Sequence, residues 1–315
     1  MSHQVLIYSR FPKAQMVRIG ERFDLIDAKG KPPIEIFSAD ELKPIRAMIT
    51  AGGQPIPAAV LDTLPSLKAI ICYGTGYDGI DFKETKARDI AVGNSPAANA
   101  ASVADLAMTL MLAATRKLLP ADDYLRSGAW ATAKPSPLMT PPPGLTGRKI
   151  GIYGLGEIGR KIAVRAAAFE TEVGYFSRSR HDVPYTYLSS LEALADWSDV
   201  LVVAVRAGAD TRHKIDADML KRLGAGGTLV NISRGSVVDE AALVAALESN
   251  VIAGAGLDVY EKEPHAPDAL TKFPNVVLTP HIGGHTLDGH RRMQDCVIAN
   301  LEAFFAGRPL AYPVT

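Results

Sequence analysis

The sequence predicts an α/β protein built as two parallel-sheet domains. Two observations lead to that class. Short apolar runs alternate with helical or turn segments along nearly all of the 315 residues, the pattern of parallel strands joined by crossovers. One of those runs, Lys149 to Tyr153, leads straight into Gly154-Leu155-Gly156-Glu157-Ile158-Gly159 and then into a helical stretch from Arg160 to Phe169. A glycine-rich turn between a strand and a helix opens a second α/β series, and a chain of this length holds two domains more readily than one.

The first region runs from Met1 to about Ala98. Its apolar runs, Val5 to Tyr8, Ala47 to Ile49, Leu67 to Cys72 and Ile90 to Val92, have strand length and are separated by helical or turn residues. The second region runs from about Asn99 to His281. After the strand at Lys149 come Glu172 to Phe176, Val200 to Val205, Gly227 to Ile232, Ala253 to Asp258 and Asn275 to Thr279. Each ends in a break, as buried parallel strands do. Asp239 to Ser249 reads as a helix with an acidic start, and Gly289 to Phe305 as the last helix. Between Lys134 and Gly144, Pro135, Pro137, Pro141, Pro142 and Pro143 exclude a regular helix or central strand. That segment is expected to wrap over a surface, its own or a partner subunit's.

Composition excludes several classes. Lys plus Arg equals Asp plus Glu, 34 each, so nothing points to a nucleic-acid or membrane partner. The chain is 47% hydrophobic and 22% charged, ordinary for a globular protein with a sizeable core. Two cysteines, Cys72 and Cys296, make no disulfide framework. No apolar run reaches the roughly 18 residues of a membrane span, and the N-terminus reads as a first strand rather than a signal peptide. A cytoplasmic protein without a metal site is expected.

The glycine-rich turn has the context of a dinucleotide fingerprint. Gly154 allows the tight turn, Gly156 removes a side chain that would block the pyrophosphate, and Gly159 lets the helix lie close on the strand. The helix N-terminus offers unpaired N–H groups and partial positive charge to the phosphates. NAD enzymes place an Asp or Glu about 20 residues past the glycines to grip the ribose hydroxyls. Here that place holds Ser177, then Arg178, Ser179 and Arg180, and the first carboxylate is Asp182. A serine flanked by arginines suits a 2′-phosphate through charge-assisted hydrogen bonds. The expected cofactor is NADP(H). Arg206, just past the Val200 strand, is a further candidate contact.

Three more motifs end expected strands: Asn231 to Gly235, Asp258 to Pro264, and Thr279 to Gly284. Ligands of open α/β sheets bind outside the carboxyl ends of the strands, so Arg234, Glu263 and His281 are expected in one crevice. These types suit reduction of a 2-keto acid. Histidine delivers a proton near neutral pH, a carboxylate on its other ring nitrogen fixes the tautomer and favours the imidazolium, and arginine clamps a carboxylate while polarising the adjacent carbonyl.

With Tyr73-Gly74-Thr75-Gly76, Asp78, Ile80-Asp81, Ser102-Val103-Ala104-Asp105 and Gly144-Leu145-Thr146-Gly147 added, the chain resembles the NAD(P)-dependent D-2-hydroxyacid dehydrogenases over nearly its whole length, and among them the glyoxylate/hydroxypyruvate reductases. The resemblance implies a flavodoxin-like substrate domain (1–98 with 285–315), a Rossmann cofactor domain (99–284), a cleft between them, and hinges near Ala98 and Gly284. It implies that Arg234 binds substrate, that His281 is the acid/base and Glu263 its partner, and that the amides of Gly74, Thr75 and Gly76 cradle the substrate carboxylate. Asp258 would hold the nicotinamide carboxamide. Gly154, Leu155, Gly156, Glu157, Ile158, Gly159, Val205, Arg206, Ile232 and Ser233 complete the cofactor contacts.

Family members are usually dimers, formed through the region that here spans Ala100 to Gly144. A small 2-keto acid is the expected substrate; the alternatives are a hydroxyphenylpyruvate-type reductase or a catalytically silent NADP(H) sensor or corepressor. His3, His181, His213, His265 and His290 are expected on the surface or in loops. His285 stands where the family has a small residue and is a candidate at the substrate mouth. Tyr73 and Trp130 are expected to pack.

Overall fold

The computed structural model describes residues 3–132, 135–136 and 140–314. Lys134 and Pro137 of the proline-rich segment lie outside the described residues. The chain divides into two compact units, 1–99 with 284–315, and 100–283.

The first unit is a five-stranded parallel sheet of β1 (Gln4–Ile7), β2 (Asp24–Asp27), β3 (Ala47–Thr50), β4 (Ala69–Cys72) and β5 (Ala91–Gly93), in the order β2-β1-β3-β4-β5. This is the flavodoxin-like order. Successive side chains point to opposite faces. Leu6, Met48, Ile70 and Cys72 therefore pack on one side, and Val5, Ile49 and Ile71 on the other. The helix Leu287–Phe305, N-capped by Thr286, covers the second face with Met293, Val297 and Leu301. The edge strand β2 was not expected: Asp24-Leu25-Ile26-Asp27 is charged at both ends and only half-buried between them, so it carries no buried-strand signature.

The second unit is a seven-stranded parallel sheet of β6 (Lys149–Tyr153), β7 (Glu172–Phe176), β8 (Thr186–Tyr187), β9 (Val200–Val203), β10 (Thr228–Asn231), β11 (Gly254–Leu257) and β12 (Val276–Leu278). Its order is β12-β11-β10-β9-β6-β7-β8. Counted from β6, the first six strands follow the Rossmann order, with a seventh added at the edge. Strand order reverses between β6 and β9, so the crevice at their carboxyl ends is where such sheets take ligands. Strands β9, β10 and β11 are buried along their whole length, and apolar clusters lie on both faces. The two-residue strand β8 was too short to read from sequence.

The helix Leu118–Arg126 buries none of its residues. Trp130, expected to pack, is instead 69% exposed, because neither that helix nor the short 3-10 turn Trp130–Thr132 lies on an apolar cluster of its unit. No helix is long and apolar enough to cross a membrane among the described residues.

Candidate active site

The turn after β6 carries the fingerprint. Gly154 has a φ of +99°, and a Cβ on it would lie 2.8 Å from Val205 Cγ1. A Cβ on Gly159 would lie 2.1 Å from the Gly154 carbonyl oxygen. Packing therefore demands glycine at both. Gly156 differs, because a Cβ there would meet nothing within 4 Å. It N-caps the helix Glu157–Ala168 without a side-chain hydrogen bond. The space beside this helix start is therefore open at Gly156, and a pyrophosphate suits both that room and the unpaired N–H groups of a helix N-terminus. Leu155 is 2% exposed, so it can meet a ligand only through its main chain, and partly buried Ile158 packs on the same core cluster. Glu157 is exposed at the helix start.

At the end of β7, Ser177 donates its hydroxyl proton to the Ser179 carbonyl at 2.6 Å. Arg178, Ser179 and Arg180 are exposed. Across the switch point, half-buried Val205 touches the fingerprint turn, and exposed Arg206 begins a loop that Thr211 ties by a hydrogen bond to the Arg206 carbonyl at 2.9 Å. Ile232 and Ser233 are buried after β10, with the Ser233 amide and hydroxyl both donating to Asn231 Oδ1 at 3.1 and 3.0 Å.

Arg234, Glu263 and His281 come together in this unit. His281 Nδ1 lies 2.7 Å from Glu263 Oε2, while Glu263 Oε1 accepts the Tyr260 N–H at 3.2 Å. Burial pushes the Glu263 carboxyl up, but the His281 hydrogen bond and charge, the Tyr260 N–H and the Arg234 guanidinium outweigh it and hold the group below its ordinary range. The Arg234 guanidinium also donates to the Ser233 carbonyl at 2.8 Å. His281 adopts a left-handed backbone with φ 52°, uncommon for a non-glycine residue and concentrated at functional sites. Asp258, 2% exposed, holds that loop. It accepts from Thr279 Oγ1 at 2.7 Å, the Ile282 N–H at 2.8 Å and the Gly283 N–H at 2.8 Å. A carboxamide contact at Asp258 would have to share oxygens already engaged.

Gly74, Thr75 and Gly76 belong to the first unit. Thr75 Oγ1 donates to the Ser95 carbonyl at 3.0 Å and to Asn99 Oδ1 at 2.9 Å, and Asn94 donates to the Thr75 carbonyl at 2.7 Å. The loop is thereby pinned through oxygen atoms, while the amides of Gly74, Thr75 and Gly76 donate to no partner among the described residues. Three consecutive half-buried donors without partners have the chemistry an anion needs.

Residues 108–283 match the family model described as D-isomer specific 2-hydroxyacid dehydrogenase, NAD binding domain. The chain belongs to that family. Hydroxyphenylpyruvate reductase of Plectranthus scutellarioides is 39% identical over 297 residues, covering 94% of each chain. Glyoxylate/hydroxypyruvate reductase A of Arabidopsis thaliana is 40% identical over 295 residues, covering 93% of each. Among solved structures, the NADPH-dependent glyoxylate/hydroxypyruvate reductase of Sinorhizobium meliloti, in complex with NADP and malonate, superposes with a TM-score of 0.90 at 36% identity, covering 100% of this chain and 97% of its own.

Sequence reasoning missed several groups that support the site of this dehydrogenase. Glu240 accepts the Glu261 N–H at 2.7 Å, bracing the turn that bears Glu263. His213, in a turn as a surface or loop residue was expected to be, lies 2.5 Å through Nε2 from Glu261 Oε1. Both contacts join residues at least 21 apart, so no local pattern announces them. His290 is not in a loop. It sits half-buried on the helix Leu287–Phe305, with Nδ1 3.2 Å from the Tyr73 hydroxyl and Nε2 2.8 Å from His285 Nδ1. Tyr73 packs as expected, at 4% exposure.

Proposed function

We propose that this dehydrogenase reduces a small 2-keto acid, glyoxylate or hydroxypyruvate, to the 2-hydroxy acid with NADPH. The hydrogen bond between His281 Nδ1 and Glu263 Oε2, under the Arg234 charge, carries the reading. With Nδ1 engaged by a carboxylate, the proton available to substrate is the one on Nε2. His281 delivers it to the carbonyl oxygen, and Glu263 stabilises the imidazolium before transfer. Arg234 pairs with the substrate carboxylate and polarises the keto group. The amides of Gly74, Thr75 and Gly76 offer further donors suited to a carboxylate. The bound cofactor supplies the hydride.

Three observations support NADP(H): the absence of an Asp or Glu at the end of β7, the arginines at 178 and 180, and the NADP complex of the S. meliloti relative. The relative from P. scutellarioides favours a second reading, a hydroxyphenylpyruvate-type reductase. Loss of NADPH absorbance with glyoxylate, hydroxypyruvate, pyruvate and hydroxyphenylpyruvate separates the two. Turnover on the first two supports the first reading; turnover confined to the aromatic acid supports the second. Tight NADPH binding without turnover on any of them overturns both in favour of a sensor. The exposed helix Leu118–Arg126 supports a homodimer, with Leu118, Leu119 and Leu125 each about half exposed and Trp130 exposed as well.

A further inference from the structure

The loop after β7 is closed by contacts from outside it. Tyr175 is fully buried in that strand, yet its hydroxyl reaches the loop. It accepts the His181 N–H at 2.8 Å and donates to the His181 carbonyl at 3.1 Å. From the other side Arg160, in the first turn of the fingerprint helix, places Nη2 3.0 Å from His181 Nδ1. A guanidinium only donates, so Nδ1 is the acceptor and the ring proton sits on Nε2. That Nε2–H meets no partner among the described residues.

The residues between the two clasped positions carry Arg178 and Arg180. Neither forms an ion pair or hydrogen bond among the described residues, whereas Arg88, Arg165 and Arg222 all do. The Ser177 hydroxyl proton is used inside the loop. The side-chain donors left at the end of β7 are therefore two guanidiniums and one neutral imidazole N–H. A phosphate offers several acceptor oxygens to such a set, and a ribose 2′-hydroxyl does not.

We propose that Arg160 and His181 determine specificity for the phosphorylated nicotinamide cofactor. Together with Tyr175 they hold the 177–180 loop ready, and His181 Nε2–H joins Arg178 and Arg180 as a donor to the 2′-phosphate. The inference rests on the NADP(H) reading above. Ordering the loop in the free protein lowers the entropy lost on binding, and Arg160 fixes the tautomer that makes His181 a donor. Arg160 and Tyr175 act as positioning residues; His181 touches the ligand.

Calorimetric titration of the full-length protein with NADP+, NAD+, adenosine 2′,5′-bisphosphate and AMP tests this without turnover. His181→Ala loses one hydrogen bond to a charged group, so its affinity for NADP+ and the bisphosphate falls roughly ten-fold or more. Its affinity for NAD+ and AMP stays within about two-fold. His181→Gln, which restores a donor, recovers most of the loss. Arg160→Met and Tyr175→Phe show the same selective loss to a smaller extent, with circular dichroism reporting the fold. Equal weakening of all four ligands, or unchanged binding of the two 2′-phosphorylated ones, overturns the inference. If the unaltered protein binds NAD+ as tightly as NADP+, the cofactor reading itself fails, and this inference with it.

Discussion

Replacing Glu263 by Gln keeps the shape of the side chain and removes its charge from His281. Two unit charges about 4 Å apart at an effective dielectric of about 20 attract by roughly 4 kcal/mol. The side chains are 44% and 34% exposed, and solvent screening at such exposure cuts the figure to about 1–2 kcal/mol. At about 1.4 kcal/mol per factor of ten, kcat/KM for keto-acid reduction falls roughly ten-fold, while cofactor affinity is unchanged. Steady-state kinetics with saturating NADPH, together with an NADPH titration, reads both effects. Unchanged kcat and kcat/KM would falsify the pairing as a catalytic one.

The Glu263 carboxyl is held below its ordinary range in the folded protein. Its pairing therefore stabilises the fold above the unfolded pKa of about 4.3, and that contribution is lost as pH falls through the lower folded value; urea midpoints of Glu263→Gln and the unaltered protein should converge in that acid range and differ at neutral pH. The Glu240 carboxyl is shifted the other way, raised by burial and by Glu261 and Glu263. Its ionisation thus opposes folding as pH rises, so Glu240→Gln should match or exceed the parent melting temperature at pH 7 while Glu240→Ala, which strips the acceptor from the Glu261 amide, falls below it. Gly156→Ala should melt with the parent and bind NADP+ at least ten-fold more weakly, whereas Gly159→Ala, forcing a Cβ to 2.1 Å from the Gly154 oxygen, should lose several degrees of melting temperature; equal behaviour of the two refutes the division of roles. Leu119→Lys with Leu125→Lys should convert a sedimenting dimer to monomer, and a parent that already sediments as a monomer refutes the dimer proposal.

What could be read from the sequence was whatever repeats locally. The apolar runs of β1, β3, β4 and β9 to β12 stand out because both faces of each sheet are covered. The fingerprint stands out because its glycines are spaced within a single strand-turn-helix unit, although the close neighbour that demands glycine at 154 is Val205, past β9. Edge strands β2 and β8 did not, since one carries charge at its ends and the other has two residues. The trio of Arg234, Glu263 and His281 was legible because each closes a strand of one sheet, and parallel strands deliver their carboxyl ends to one edge. The supporting groups were not. His181 reads as a loop residue until Arg160, 21 positions earlier, is seen against its ring, and Glu240 reads as a favourable acid in a helix's first turn until the Glu261 amide appears beside it.

The His281 loop shows why such support is needed. A left-handed backbone at a residue with a Cβ costs about 1–2 kcal/mol, and His281 adopts one. Within Thr279-Pro280-His281-Ile282-Gly283 one backbone hydrogen bond, from the His281 N–H to the Thr279 carbonyl at 3.1 Å, does not by itself supply that energy. The buried Asp258 carboxylate does, by accepting the Thr279 hydroxyl and two successive amides beyond His281, while its own carbonyl takes the His281 N–H at 2.8 Å. Hydrogen bonds to a charged acceptor contribute about 1.5–3 kcal/mol each, enough to outweigh the strain. Asp258 follows directly on β11 and Thr279 on β12, neighbours in register. The sheet therefore sets the distance between the holder and the loop it holds. The imidazole is held by strand pairing more than by its own segment, and that is the physical sense in which the Rossmann-like unit builds the proposed acid as well as the proposed nucleotide site.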